Sequence, residues 1–150
     1  MSDFAARNLK THYDSVSEKR RKYLKRNKYY HRSILKFFRM TIPRGATILE
    51  LGCGTGDLLG NLEPSHGVGV DISSAMIKLA KEKYPEINFV CEDAGKFETK
   101  EKFDYIIVSG IVGTIENIQV LFEKIQKWVT TDTRVFIDFY NPLWYPMIKL

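Results

Sequence analysis

The sequence is short of cysteine and has no long apolar run. Only Cys53 and Cys91 occur among its 150 residues, and their positions lack metal-ligand spacing, so no metal site is predicted. No apolar stretch approaches the roughly 20 residues that span a bilayer. The N-terminal residues also lack the apolar core of a secretory signal. These absences favour a cytoplasmic protein without a transmembrane segment, in which both thiols are small, reduced, buried groups.

Acidic residues are missing from one continuous segment. No Asp or Glu lies between Glu18 and Glu50, whereas that segment holds eleven of the 23 lysines and arginines. Because the whole chain has a net charge of +5, the remainder of the sequence is net acidic. The charge distribution therefore predicts a basic N-terminal module, residues 1–44, ahead of a mildly acidic domain, residues 45–150.

The periodicity of the apolar residues changes at the end of this module. From Glu18 to Met40, apolar and aromatic residues recur at three- and four-residue spacing, which is typical of a helix that Pro43 ends. Beyond it, helical patterns cover Ser73–Tyr84 and Asn117–Val129, with a weaker one at Asp57–Leu62. Five short apolar runs predict strands: Thr47–Leu51, Val68–Ile72, Ile87–Cys91, Tyr105–Ser109 and Arg134–Phe139. This alternation predicts an α/β fold with a doubly wound parallel sheet and ligands at the carboxyl ends of its strands.

Three glycines follow the first predicted strand at alternate positions. Gly52, Gly54 and Gly56 allow a sharp turn in which the backbone approaches a ligand without a Cβ in the way. Asp71 ends the next strand, where a carboxylate can accept hydrogen bonds from the two hydroxyls of a ribose. The alternative for Asp71 is a helix cap on the segment that follows it.

Two further polar segments follow the third and fourth strands. Glu92-Asp93-Ala94 places an acid and a small residue where an exocyclic adenine amine could be bound, although an ordinary polar loop would read the same way. Ser109-Gly110-Ile111-Val112-Gly113 leaves the fourth strand, and its backbone could pass beneath a ligand.

Four sequence motifs together, ELGCGTG, VGVDIS, CEDAGKF and FDYIIVSG, resemble those of the class I S-adenosylmethionine-dependent methyltransferases. The resemblance covers about residues 45–141 and implies a sheet of strand order 3-2-1-4-5 with S-adenosyl-L-methionine as cofactor. It further implies that Glu50 and the glycine loop approach the methionine part, that Asp71 holds the ribose, and that Asp93 and Ala94 flank the adenine amine. The cofactor-binding residues expected on this basis are Glu50, Gly52, Cys53, Gly54, Thr55, Gly56, Asp71, Ile72, Met76, Asp93, Ala94 and Ser109.

The glycine spacing argues against a dinucleotide site. A dinucleotide fingerprint has its third glycine three residues after the second, whereas Gly56 is only two residues after Gly54. The carboxylate of Asp57 follows directly and would repel a pyrophosphate, while it suits the ammonium and sulfonium groups of S-adenosylmethionine.

The C-terminal end departs from the family pattern. The family usually continues past strand five with a helix and two further strands, and strands 6 and 7 are expected to be missing here. Arg134–Phe139 would then be an apolar sheet edge. Either a longer natural chain or self-association with a second copy would cover it, and the first is favoured.

The methyl acceptor and the catalytic residues are not identified by the sequence. In-line methyl transfer depends mainly on positioning, so a general base is not obligatory; His31, Tyr13, Tyr30 and Asp138 are the candidates for one. The acceptor is expected to be a small molecule or a carrier-linked group. The basic helix is a solvated face, a lid whose arginines select an anionic acceptor, or a contact surface for RNA or an anionic membrane. A non-catalytic S-adenosylmethionine-binding module and an RNA-directed methyltransferase remain alternatives.

Overall fold

Helices and strands alternate along the chain in the computed structural model, which describes Thr11 and residues 28–138. The four helices of residues 28–138 are α1 (Lys28–Thr41), α2 (Asp57–Leu62), α3 (Ser74–Lys83) and α4 (Ile118–Trp128). The five strands are β1 (Thr47–Leu51), β2 (His66–Asp71), β3 (Asn88–Cys91), β4 (Tyr105–Ser109) and β5 (Arg134–Asp138). A single turn of 3₁₀ helix at Val112–Thr114 precedes α4.

These bounds agree with the predicted elements to within two residues. The helix predicted over Glu18–Met40 is described from Lys28 onward, and its earlier part lies outside the described residues, as does Phe139 at the end of the fifth strand. Expectations about residues 139–150 likewise concern a segment beyond those that the structure describes. None of the described helices is long and apolar enough to cross a membrane.

The five strands form one parallel sheet in the order β3-β2-β1-β4-β5, which confirms the predicted topology. Chain order reverses between β1 and β4, so the crevice for a ligand opens at the carboxyl ends beside β1. The register pairs Asp71 with Cys91 and Ser109 with Asp138. The last residues of the five strands therefore lie side by side at the carboxyl end of the sheet.

Each face of the sheet is covered by helices because side chains alternate along every strand. Ile48 of β1 packs with residues of α1, α2 and α3 on one face. Leu49 and Leu51 pack with Leu121 and Trp128 of α4 on the other face. The central strands are thus covered on both faces, which explains the near-continuous apolar runs of β1, β2 and β4.

Helix α1 shares its core with the sheet. Phe38 and Ile42 are buried, and the ring of Phe38 lies 5.4 Å from that of Phe136 in β5, centroid to centroid. The described part of the basic module thus packs on the same core as the strands. A domain boundary at residue 44 stays a prediction.

One expectation about the cysteines is wrong. Cys53 is buried as predicted, but Cys91 is exposed. Cys91 is the last residue of β3, which is an outermost strand and has a neighbouring strand on one side only. An apolar sequence context therefore did not ensure burial at the end of an edge strand.

Candidate functional site

A cavity of about 450 Å³ opens at the carboxyl ends of the strands. Helix α1 and the segment between β4 and α4 contribute to its walls through Tyr30, His31, Ile34 and residues 114–117. The cavity is lined by ten of the twelve residues predicted to bind cofactor: Glu50, Gly52, Cys53, Gly54, Asp71, Ile72, Met76, Asp93, Ala94 and Ser109. The carboxyl ends of the strands thus bring together predicted cofactor-binding residues that belong to four separate sequence motifs.

The first turn after β1 requires glycine at position 52. Gly52 has a φ of 85°, in the left-handed region, and its N–H donates to the carbonyl of Val70 at 2.7 Å. A Cβ at this position would collide with the carbonyl oxygen of Ser109 and with Ile111. Because Gly52 has no side chain, the chain leaving β1 passes close beside the chain leaving β4.

The other two residues of the predicted set, Thr55 and Gly56, do not line the cavity. The hydroxyl of Thr55 donates to the carboxylate of Asp57 at 2.5 Å. Gly56 has a φ of 71°, and a Cβ there would lie 2.6 Å from the ring of Phe89. The structure places both residues where they shape the loop and pack it against the core.

Asp71 connects the glycine loop to the end of β2. One carboxylate oxygen accepts the N–H of Gly54 at 2.8 Å, and the other accepts the N–H of Ser73 at 2.9 Å. The N-cap of α3 is Ser73, whose hydroxyl accepts the N–H of Met76 at 3.2 Å. A simple capping role for Asp71 is therefore not what the structure shows, and its carboxylate also lines the cavity.

Two buried groups lie beneath the loop. Glu50 is only 2% exposed, and its carboxylate accepts the N–H of Leu59 at 3.2 Å. Burial, together with the nearby carboxylates of Glu50 and Asp71, raises the pKa of the Cys53 thiol well above its usual value. Cys53 therefore stays protonated at neutral pH and acts as a small apolar group.

The turn after β3 forms a third wall of the cavity. The carboxylate of Asp93 accepts the N–H of Gly95 at 2.9 Å, and the carbonyl of Asp93 accepts the N–H groups of Lys96 and Phe97. These bonds fix the turn and present Ala94, a small residue, to the cavity.

Asp138 is the last residue of β5, the outermost strand on the opposite side of the sheet from β3. Its carboxylate accepts the N–H of Gly110 and a hydrogen bond from the side chain of Ser109. Burial raises the pKa of Asp138 above its ordinary value, and these two hydrogen bonds only partly offset the rise. Of the four candidate bases, Tyr30, His31 and Asp138 line the cavity. The fourth, Tyr13, lies outside the described residues.

The segment between β4 and α4 contributes residues that sequence patterns missed. Asn117 caps α4, its side-chain oxygen accepting the N–H groups of Gln119 and Val120 at 3.1 and 3.2 Å. The chain before this cap carries Thr114, Ile115 and Glu116 to the cavity. The only sequence signal nearby was the capping residue Asn117. It predicts where α4 begins, but it does not predict that the preceding loop lies against the cavity.

The charges of the cavity are predominantly negative. Seven carboxylates and one lysine, Lys96, line it, although the whole chain carries a net charge of +5. Among the described residues of α1, Arg32 and Arg39 are not part of the lining, and the guanidinium of Arg39 donates to the carbonyl of Asn61 at 2.9 and 3.1 Å. The described arginines of α1 thus give no support to the expectation that arginines of this helix select an anionic acceptor.

Comparison with known proteins gives a consistent family assignment. A family model described as a methyltransferase domain matches residues 20–147. The chain is 28% identical over 109 residues to (S)-tetrahydroprotoberberine N-methyltransferase of Eschscholzia californica, covering 67% of this chain and 31% of that protein. It is 33% identical over 91 residues to malonyl-[acyl-carrier protein] O-methyltransferase of Bacillus cereus, covering 57% and 34%.

A solved structure shares the fold. The DhpI–SAH complex superimposes with a TM-score of 0.79 at 17% identity, covering 91% of this chain and 70% of DhpI. The chain spans about a third of the length of the two curated relatives described above.

Proposed function

Since this chain belongs to the methyltransferase-domain family, we propose that it binds S-adenosylmethionine in the cavity and transfers the methyl group to a small-molecule or carrier-linked acceptor. The observation that carries the proposal is the set of three carboxylates that line the cavity at the carboxyl ends of three neighbouring strands. Glu50, Asp71 and Asp93 come from the carboxyl ends of the neighbouring strands β1, β2 and β3 and line one cavity. A cationic ligand with a ribose suits these groups better than an anionic nucleotide does.

The residues present fit this cofactor. The carboxylate of Asp71 is held in place by two backbone N–H groups, and a carboxylate can accept further hydrogen bonds from ribose hydroxyls. Ile72, Met76 and Asp93 all line the cavity, so the first two could offer apolar surface to the adenine and the carboxylate of Asp93 could accept from its amine. Gly52 and Gly54 both line the cavity, where their backbone could contact the methionine part.

The electrostatics of the cavity fit the chemistry. S-adenosylmethionine supplies an electrophilic methyl group on a sulfonium, whose positive charge the carboxylates of the cavity would stabilise. Glu50 is fixed by the Leu59 N–H, and Asp71 by two backbone groups, so neither has to reorganise when the ligand binds. Positioning of the acceptor in line with the methyl group then supplies much of the rate.

The relatives support a small or carrier-linked acceptor. The names of the two relatives reported above specify N-methylation of (S)-tetrahydroprotoberberine and O-methylation of malonyl-[acyl-carrier protein]. Their sequence likeness to this chain is comparable, so it supports methyl transfer but does not choose between nitrogen and oxygen.

Calorimetry with S-adenosylhomocysteine and NAD tests the proposal. We expect micromolar affinity for S-adenosylhomocysteine and negligible binding of NAD, because a pyrophosphate would face the carboxylates of the cavity. Transfer of labelled methyl from S-adenosylmethionine to candidate acceptors then separates an enzyme from a non-catalytic binding module. Binding of NAD more tightly than S-adenosylhomocysteine would overturn the proposal.

A further inference from the structure

The cavity is longer than the part assigned to the cofactor. Asp71 ends β2 and Asp93 follows β3, on one side of β1. On the other side, Ser109, which is also in the expected cofactor-binding set, ends β4, and Asp138 ends β5 beyond it. Neighbouring strands are about 4.8 Å apart, so the β5 end lies roughly 15 Å from the β2 end. The β5 end of the cavity is therefore available for the methyl acceptor, and α1, which packs against β5 through Phe38 and Phe136, contributes to the cavity wall.

Asp138 is held rigidly at this end of the cavity. Its carboxylate accepts hydrogen bonds from the backbone of Gly110 and the side chain of Ser109, both of which belong to the exit of β4. It is partly buried in the cavity wall. A fixed, partly desolvated carboxylate is a poor neighbour for an anion and a good one for a cation.

The groups from α1 at the cavity also suit a cation. Tyr30 and His31 line it from this helix, and their rings meet edge to face with centroids 5.4 Å apart. An aromatic face together with a carboxylate is the combination that binds ammonium groups. Glu116, on the segment before α4, adds a second carboxylate to the lining, and Lys96 follows β3 at the far end of the sheet.

We infer that the methyl acceptor is an amine, and that Asp138 binds its ammonium form and takes its proton before methyl transfer. This inference rests on the proposed function. The proton moves from the ammonium nitrogen to the carboxylate of Asp138, which frees the nitrogen lone pair. A nitrogen–carbon bond to the methyl group then forms, the carbon–sulfur bond breaks, and its electron pair stays on sulfur. The product is a methylated ammonium and a neutral thioether, and Asp138 later returns its proton to solvent.

The raised pKa of Asp138 fits this task. A carboxylate whose pKa lies above the ordinary value is a stronger base than an exposed one. The difference between its pKa and that of an ammonium group is therefore smaller, which favours proton transfer. An alkyl hydroxyl holds its proton far more tightly than an ammonium does, so the same carboxylate would be a weak base toward an alcohol. A carboxylate acceptor would need no base and would be repelled.

Binding of choline and of its neutral isostere 3,3-dimethylbutan-1-ol tests the inference independently of turnover. The two probes have nearly the same shape and differ in charge. We expect calorimetry with protein saturated with S-adenosylhomocysteine to show at least tenfold tighter binding of choline. Asp138→Asn keeps an oxygen for the Gly110 N–H and removes the charge, and it should reduce the preference for choline about tenfold. Asp132→Asn makes the same change at an exposed turn before the opposite end of β5 and should leave the preference unchanged.

Methyl transfer provides the second readout. N-methylbenzylamine, benzyl alcohol and benzoate share one framework and differ in the accepting group. We expect the amine to be methylated fastest, and Asp138→Asn to lower kcat for the amine about a hundredfold while S-adenosylhomocysteine affinity changes less than twofold. Equal binding of choline and its isostere, faster methylation of benzoate or benzyl alcohol, or an Asp138→Asn variant with unchanged charge preference would each overturn the inference.

Failure of the proposed function has a different signature. In that case S-adenosylhomocysteine does not bind to the unaltered protein, whatever the acceptor. Choline binding is therefore also measured without S-adenosylhomocysteine. A preference for choline that depends on Asp138 would then support the cation site, and its absence would count against it.

Discussion

Asp71 illustrates how one side chain combines a structural role with a proposed binding role. Its two carboxylate oxygens hold Gly54 on the glycine loop and Ser73 at the start of α3. The loop and the helix are thus fixed around a carboxylate that also lines the cavity. The sequence suggested a choice between ribose binding and helix capping, but the structure shows a backbone role that neither alternative described.

Asp71→Ala should therefore affect both ligand binding and stability. Loss of a charge-assisted hydrogen bond costs roughly 1.5–3 kcal/mol, so we expect S-adenosylhomocysteine affinity to fall about ten- to a hundredfold. Calorimetry and thermal melting measure the two effects, and the melting temperature should also fall by several degrees.

Asp104→Ala is the matched control for this prediction. The carboxylate of Asp104 accepts the N–H and the hydroxyl of Thr47 at 2.8 and 2.9 Å, at the opposite end of the sheet. Its loss should lower the melting temperature without changing the affinity. Equal affinity losses in the two variants would remove Asp71 from the binding site.

The two cysteines differ in exposure and should differ in reactivity. Burial and two nearby carboxylates raise the pKa of the Cys53 thiol, and Cys53 is 4% exposed. Cys91 is exposed. Because the thiolate is the reactive form, we expect iodoacetamide to modify Cys91 well before Cys53. Mass spectrometry of the alkylated peptides gives the order, and equal rates would contradict the described environment of Cys53.

At the level of elements, the central strands were predictable because they are buried on both faces of the sheet. Runs such as TILEL and YIIVS read as strands from composition alone, and their bounds match β1 and β4. Helix α2 had only a weak pattern, since six residues give less than two turns. The buried carboxylate of Glu50 in β1 supports it by accepting the Leu59 N–H, a contact between two elements that periodicity within the helix does not reveal.

About half of the candidate site was predictable from sequence, because those residues belong to motifs at the ends of predicted strands. The glycine loop and Asp93 follow strands and Asp71 ends one, at the carboxyl ends where a parallel sheet gathers its ligand-binding residues. Ile34 and Glu116, which the sequence did not single out, reach the cavity from α1 and from the segment before α4. Which part of a helix or loop crosses the end of a sheet depends on tertiary packing, which the sequence pattern leaves open.

A glycine substitution separates backbone strain from packing in the loop. Gly56→Ala should lower the free energy of unfolding by roughly 2–4 kcal/mol, because the residue has a left-handed φ and its Cβ would meet the Phe89 ring. Gly45 has a φ of 79° and nothing within 4 Å of an added Cβ. Gly45→Ala should therefore cost only the strain, about 1–2 kcal/mol.

Denaturant unfolding of both variants measures this difference. Gly56 does not line the cavity, so the folded Gly56→Ala protein should keep its S-adenosylhomocysteine affinity within a few fold. Equal destabilisation of the two variants would show that the contact with Phe89 relaxes at little cost.

For the whole molecule, the resemblance to class I S-adenosylmethionine-dependent methyltransferases is confirmed in family and fold. The topological reversal between β1 and β4 placed the cavity where the rule for parallel sheets requires it. The net charge of the whole chain was less informative at this scale than its distribution, which had predicted a mildly acidic domain at residues 45–150. A chain with a net charge of +5 surrounds an acidic cavity, so net charge alone would have suggested the wrong sign for a ligand.

The apolar surface of β5 is the other feature of the whole molecule. Val135 and Ile137 are 39% and 43% exposed on the face of the sheet that α4 covers elsewhere. Phe122 of α4 is also 37% exposed. Within residues 28–138, β5 pairs with β4 alone, so its outer backbone groups lie along an edge that can pair with another strand.

We therefore expect the 150-residue chain to self-associate through β5 at high concentration. Replacing Val135 and Ile137 with lysine places two charges on this face and should shift the protein to monomer, because charged edge strands resist pairing. Leu79→Lys in α3 is the control, since Leu79 is 38% exposed and belongs to a helix on the other face of the sheet. Light scattering across a concentration series measures the molar mass of all three proteins. A monodisperse monomer at every concentration, or the same shift in the control, would show that β5 is not the surface through which copies of this chain meet.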